Sequence, residues 1–130
     1  MLKIWYWYQE AKKNNRIRWI WSKNYQTNYY KMKKILIINS NYYKKISKNL
    51  LADAVKKLSL AKITVSILDV PGIFEIPIAI RKNIKKYDGF VALGCVIKGE
   101  TPHFDLISSS TFNAIMQISI SYNKPIGNGI

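Results

Sequence analysis

The sequence has one cysteine, one histidine and three arginines among 130 residues. No apolar run in it approaches the roughly 18 residues that a membrane-crossing helix needs. Each scarcity excludes something. A lone Cys95 rules out an internal disulfide and any zinc site built on paired cysteines, so the core must hold the fold and a reducing, cytoplasmic setting is expected. A lone His103 argues against a histidine-rich metal centre. Acidic groups are also few, 7 Asp and Glu against 21 Lys and Arg, for a formal net charge of +14. Such an excess ordinarily points to a polyanionic partner. Here only Arg16, Arg18 and Arg81 are arginine, the preferred reader of bases and phosphates. With Ile and Asn also abundant, the composition reads as drift of an A/T-rich coding sequence and as solvated surface, and a nucleic-acid or membrane partner is not favoured.

The remainder is globular: 48% hydrophobic and 22% charged residues, with a mass of 15.1 kDa that suits one domain. Residues 1–31 stand apart. They carry all four tryptophans (Trp5, Trp7, Trp19, Trp21), five of nine tyrosines, and seven basic residues against Glu10. Neither helical nor strand periodicity organises them, and they lack the apolar core of a signal peptide. Met32 is followed at once by a strand-like run, so 1–31 reads first as sequence upstream of a natural start. A disordered extension, or a basic aromatic module that stacks on nucleic acid, are the alternatives. Residues 32–130 form the expected domain.

From Met32 onward β-branched runs alternate with amphipathic stretches, the pattern of βαβ units and a parallel sheet. Strands are expected over 35–39, 62–70 and 90–97, with a fourth opening at Ile126. A helix over 47–60 places Leu50, Leu51, Ala54, Val55 and Leu58 on one face. Another over 75–86 spaces Ile76, Ile80 and Ile84 by four, with Pro77 tolerated in its first turn. A third runs over 105–122. Parallel sheets bind ligands beyond the carboxyl ends of their strands, which selects the loops at 40–43, 70–75, 98–105 and 127–129.

The unusual residues fall in those loops. An unperturbed imidazole titrates near 6.5, so His103 can take and return a proton at neutral pH. A lone histidine is commonly structural, and its place at the sheet edge is what raises the catalytic reading. The stretch from Gly94 to Thr101 misses a nucleotide P-loop, because the position after Gly99 is Glu100 rather than lysine. Free N–H groups at 99–101 and the Thr101 hydroxyl could still hold a small phosphate beside Lys98, or Thr101 could simply cap a helix. Glu75 could cap its helix or accept hydrogen bonds from a ligand. Tyr42 could stack on a planar ring. Cys95, within an apolar strand, reads as an inert thiol.

Three ordered motifs, PGIFEIP (71–77), ALGCVIKGETPHFD (92–105) and KPIGNGI (124–130), resemble the lumazine synthase family over about residues 33–130. The resemblance implies a flavodoxin-like three-layer α/β/α sandwich with a central parallel sheet. It also implies riboflavin biosynthesis: a transferase condensing 5-amino-6-(D-ribitylamino)uracil with 3,4-dihydroxy-2-butanone 4-phosphate, without cofactor or metal. By motif position His103 would move the proton, and Glu100 with Thr101 would cradle the phosphate. Ile73, Phe74 and Glu75 would line the uracil and ribityl side. Cys95, Val96 and Ile97 would meet the pyrimidine through backbone, and Tyr42 would stack where the family usually has Phe or Trp. Asn128 would reach a neighbouring subunit's site, implying a homopentamer or larger shell. Members continue into a further strand and helix bearing an arginine for the phosphate, so the expected sheet lacks its C-terminal strand and helix. A chain that keeps the fold without turnover is the alternative function.

Overall fold

Lys34–Ser40 (KILIINS) forms β1, and six of its seven residues are buried, as an aliphatic strand covered on both faces must be. The computed structural model describes residues 33–61 and 63–130; what was expected of 1–31 and the natural start lies outside them. After β1 come α1 (Lys44–Leu60), β2 (Thr64–Val70), a 3₁₀ turn (Ile73–Glu75), α2 (Ile76–Asn83), β3 (Gly89–Leu93), α3 (His103–Tyr122) and β4 (Ile126–Gly129). All pairings are parallel, in the order β2-β1-β3-β4. The register sets Lys34 beside Thr64, Ile35 beside Gly89 and Phe90 beside Ile126.

The chain steps one way from β1 to β2 and the other way from β2 to β3 and β4. Right-handed crossovers therefore put α1 on one face and α2 with α3 on the other. Strand alternation agrees. Leu36, Ile38, Phe90 and Ala92 join Ile76, Ile80, Ile84 and Ile115 of the helical side in one core. Ile76 and Ile80 are fully buried and Ile84 nearly so, as their spacing predicts. Each such isoleucine contributes about 1.5–3 kcal/mol of burial. On the α1 face, the Ser47 hydroxyl donates to Asn39 Oδ1 at 2.8 Å, and Asn39 Nδ2 donates to Asp69 Oδ1 at 2.7 Å. This chain ties α1, β1 and β2 together through two buried polar residues, each supplied with a partner. The three-layer α/β sandwich is thus as expected.

Several boundaries differ. The apolar run FVALGCVI ends as strand at Leu93, not at Ile97: pairing with the central strand β1 ends at Asn39 beside Leu93, and β1 itself ends at Ser40. α1 begins a turn earlier than expected, at Lys44, with no side-chain cap on its Tyr43 N-cap. α2 begins at Ile76 and ends at Asn83 rather than Lys86. The Asp88 N–H, bonded to Lys34 O at 2.9 Å, already draws the chain into the sheet. α3 starts at His103 with Pro102 as N-cap, so Thr101 does not cap it, and Glu75 makes no capping bond to α2. α3 closes at Asn123, whose φ of 48° is the left-handed cap that asparagine tolerates, with the Lys124 N–H returning to Ser119 O.

Asp88 fastens the start of β1. Backbone N–H groups of Lys33 and Lys34 donate to its Oδ2 at 2.8 and 2.9 Å and hold the carboxyl below its ordinary range. A depressed folded-state pKa contributes stability that is present above the unfolded value, about 3.9, and lost as pH falls through the folded value. Stability measured by denaturant from about pH 5 to pH 2 should fall less steeply in Asp88→Asn than in the parent chain. Parallel curves would show that Asp88 takes no part in acid unfolding.

Candidate functional site

In the order β2-β1-β3-β4 the order of strand addition reverses at β1, so the carboxyl ends of β1 and β3 form the switch point at which such sheets bind ligands. Three chain segments meet there. A Cβ built on Gly94 would lie 2.6 Å from Ile73 Cγ2, 3.3 Å from Ser40 Cβ and 3.6 Å from Ile130 Cγ1. Only a residue without a side chain fits between the ends of β1 and β4 and the 3₁₀ turn. The Ser40 hydroxyl, 3% exposed, has no partner among the described residues. The sequence places Gly94 and Ser40 in the selected stretches but does not show that they pack against each other. The glycine's place at the end of an apolar strand was the signal available.

Around this switch point the loops present the expected residues. Tyr42 follows β1 and is 71% exposed, its ring edge-on to that of Tyr43 at 5.0 Å. Phe74, in the 3₁₀ turn, is 67% exposed beside a buried Ile73. The half-buried Glu75 folds back, its Oε2 lying 3.1 Å from the point a Gly72 Cβ would occupy. After β3, Cys95 and Val96 are half-buried and Ile97 is exposed. Ile73 and Val96 pack with the core, so they could meet a ligand mainly through backbone. Cys95 lies beyond the strand, not within it.

Glu100, Thr101 and His103 are exposed along the connection into α3. His103 is the first residue of that 20-residue helix, where unpaired N–H groups and the positive end of the helix dipole favour an anion. Lys98 reaches over the same turn, 3.8 Å from Asp105 Oδ2 and 6.0 Å from the Phe104 ring centre. An imidazole thus stands at an anion-favouring helix start, on the same sheet edge as the Tyr42 and Phe74 rings and the Glu75 carboxylate. Asn128, exposed on β4, accepts from the Ile130 N–H at 3.2 Å. It lies apart from the His103 turn in sequence, across the β3–β4 edge. Among the described residues no three His, Cys, Asp or Glu side chains converge as metal ligands.

A family model described as 6,7-dimethyl-8-ribityllumazine synthase matches residues 32–130. The chain belongs to that family. Proteins bearing that name include one from Bartonella henselae, 47% identical over 100 residues, which cover 74% of this chain and 64% of the relative. Another, from Bartonella tribocorum, is 43% identical over 99 residues, covering 74% and 66%. A third, from Methylobacterium radiotolerans, is 40% identical over 99 residues, covering 75% and 60%. The chain therefore spans slightly under two thirds of the length of these lumazine synthases. Among solved structures, an ABC domain in complex with L-Trp from Streptococcus pneumonia aligns with a TM-score of 0.54 at 21% identity. That match covers 76% of this chain and 31% of the other, and it bears on the fold alone.

Proposed function

We propose that this lumazine synthase family member condenses 5-amino-6-(D-ribitylamino)uracil with 3,4-dihydroxy-2-butanone 4-phosphate. The products are 6,7-dimethyl-8-ribityllumazine, phosphate and water, in riboflavin biosynthesis. The observation that carries the reading is the family match running through PGIFEIP, GETPHFD and KPIGNGI, together with the gathering of the first two motifs at one sheet edge. Joining an amine to a ketone and expelling phosphate requires protons to leave nitrogen and carbon and to reach departing oxygen. His103 takes and returns them. The backbone at Glu100 and Thr101, before the α3 start, holds the phosphate, which supplies binding energy remote from the reacting carbons. Tyr42 stacks on the uracil. Phe74, Glu75 and the Ile73 backbone line its ribityl side, and the backbone of Cys95, Val96 and Ile97 meets the pyrimidine edge.

A cytoplasmic homopentamer, or a larger shell of pentamers, completes each site with Asn128 of a neighbouring copy. Supporting assembly, α3 leaves Leu106, Met116 and Ile120 between 61% and 73% exposed on its outer face, more apolar surface than a solvated helix needs. Residues 32–130 constitute the catalytic domain in this reading, and 1–31 stand outside it.

The test is turnover by the 130-residue chain, followed by lumazine fluorescence, with a phosphate-free butanone as comparison. Product should form, and form faster from the phosphate ester. A folded chain that yields neither lumazine nor free phosphate would refute the reading and leave a fold kept without turnover.

A further inference from the structure

We propose that the amino-terminal edge of the sheet, opposite the candidate site, docks the phosphate backbone of nucleic acid without regard to base sequence. The parallel topology gathers the cations there. Lys33 and Lys34 open β1, Lys85 and Lys86 lie in the turn that follows α2, and Lys56, Lys57 and Lys82 lie at the ends of α1 and α2, which run back to the same edge. All seven are exposed. Two further cations at this edge are already engaged: Arg81 lies 4.6 Å over the Tyr122 ring, and Lys124 Nζ donates to Tyr87 O at 2.8 Å. The one carboxylate at this edge among the described residues, Asp88, is spent on backbone N–H groups.

The opposite edge is balanced. There Lys44, Lys45, Lys48 and Lys98 are matched by Asp69, Glu75, Glu100 and Asp105. Composition drift alone would scatter lysine over both edges. Complementing the helix dipoles would account for Lys57 and Lys82, which close helices. It extends to Lys85 and Lys86, which follow the Ile84 C-cap of α2, but not to Lys33 and Lys34 at the start of β1, since strands carry little net dipole. At the other end the first turns of α1 and α2 hold no acid, and that of α3 holds Asp105.

Four strands about 4.8 Å apart, with a helical layer about 10 Å away on each side, give a patch of about 15 by 20 Å. A duplex carries one charge per about 1.7 Å of axis, so that span offers about ten phosphates to seven lysines. Lysine serves as a point charge for phosphate where arginine would read bases, which fits binding indifferent to sequence. Among the described residues the helices reach the edge by their ends, so none lies in the plane that an interfacial membrane helix requires.

The probe is a labelled mixed-sequence DNA duplex of about 20 base pairs, titrated with the full chain by fluorescence anisotropy over a salt series. The triple variant Lys82→Gln, Lys85→Gln, Lys86→Gln should bind at least about tenfold more weakly at low salt, with the slope of log K against log salt reduced by about 2.7, or 0.9 per contact. A matched triple at the other edge, Lys44→Gln, Lys45→Gln, Lys48→Gln, removes equal charge and should change affinity less than about threefold. These side chains are exposed, and circular dichroism verifies folding of both variants. Equal losses in the two triples, or no loss in the first, would overturn the assignment. So would binding of phosphatidylserine vesicles by a chain that leaves the duplex free.

Discussion

Replacing His103 by alanine is expected to slow lumazine formation by about 10²–10⁴-fold, the range that a positioned acid–base group supplies. On the proposed role the loss should fall on kcat, with KM for both substrates changed little, because a general acid–base group acts in the transition state rather than in binding. Its position makes the test clean. His103 is exposed at the first position of α3 and bonds to no core residue, and alanine is a good helix former there. Stability should therefore move by less than about 0.5 kcal/mol. Sedimentation should show the same oligomer for both chains. A variant that turns over at the parental rate would remove His103 from the chemistry. A variant whose KM for the butanone phosphate rises while kcat holds would reassign it to the phosphate, which the same helix start attracts.

Much of this architecture is legible in the sequence because burial and periodicity report the same physics. Ile76, Ile80 and Ile84 recur every fourth residue, and the structure buries all three. KILIINS is apolar without alternation and forms a central strand. The misread boundaries lie where partners rather than composition decide. FVALGCVI is as apolar at 95–97 as at 90–93, yet pairing with the central strand ends at Asn39 beside Leu93, one residue before β1 itself ends. Hydrophobicity records what is covered, and a strand also needs a neighbour. Thr101 and Glu75 look like caps because their side chains can bond a helix N–H, but Pro102 takes the N-cap of α3 and Glu75 turns toward Gly72. The carboxyl-edge rule and the strand order agree on which loops border the switch point. The uneven charge between the two edges was not visible in a net charge, since it arises only when strand starts and helix ends are brought together.

Gly94→Ala should be the most damaging small substitution in the described domain. Its added methyl would sit 2.6 Å from Ile73 Cγ2, and Ile73 is 4% exposed within the core, so it has little room to yield. Behind it stand Ser40, which ends β1, and Ile130, which follows β4; relief by backbone movement would open the sheet at its reversal point. Overpacking of this kind costs about 1–3 kcal/mol. For a domain of about 100 residues that lowers the melting temperature by about 4–8 °C per kcal/mol. The comparison is Gly99→Ala, in the same loop, where an added Cβ meets nothing within 4 Å. Gly99→Ala should unfold at the parental midpoint or slightly above it, since alanine narrows the unfolded ensemble. The two variants differ by the same single methyl in one connection, so a shared loss of stability would place the sensitivity in the loop's glycine content and not in the crowding at Gly94. Gly94→Ala should also slow turnover beyond what its stability loss explains. Moving Ile73 shifts the backbone that leads to Phe74 and Glu75, and a displacement of about 1 Å in such positioning costs about a hundredfold in rate.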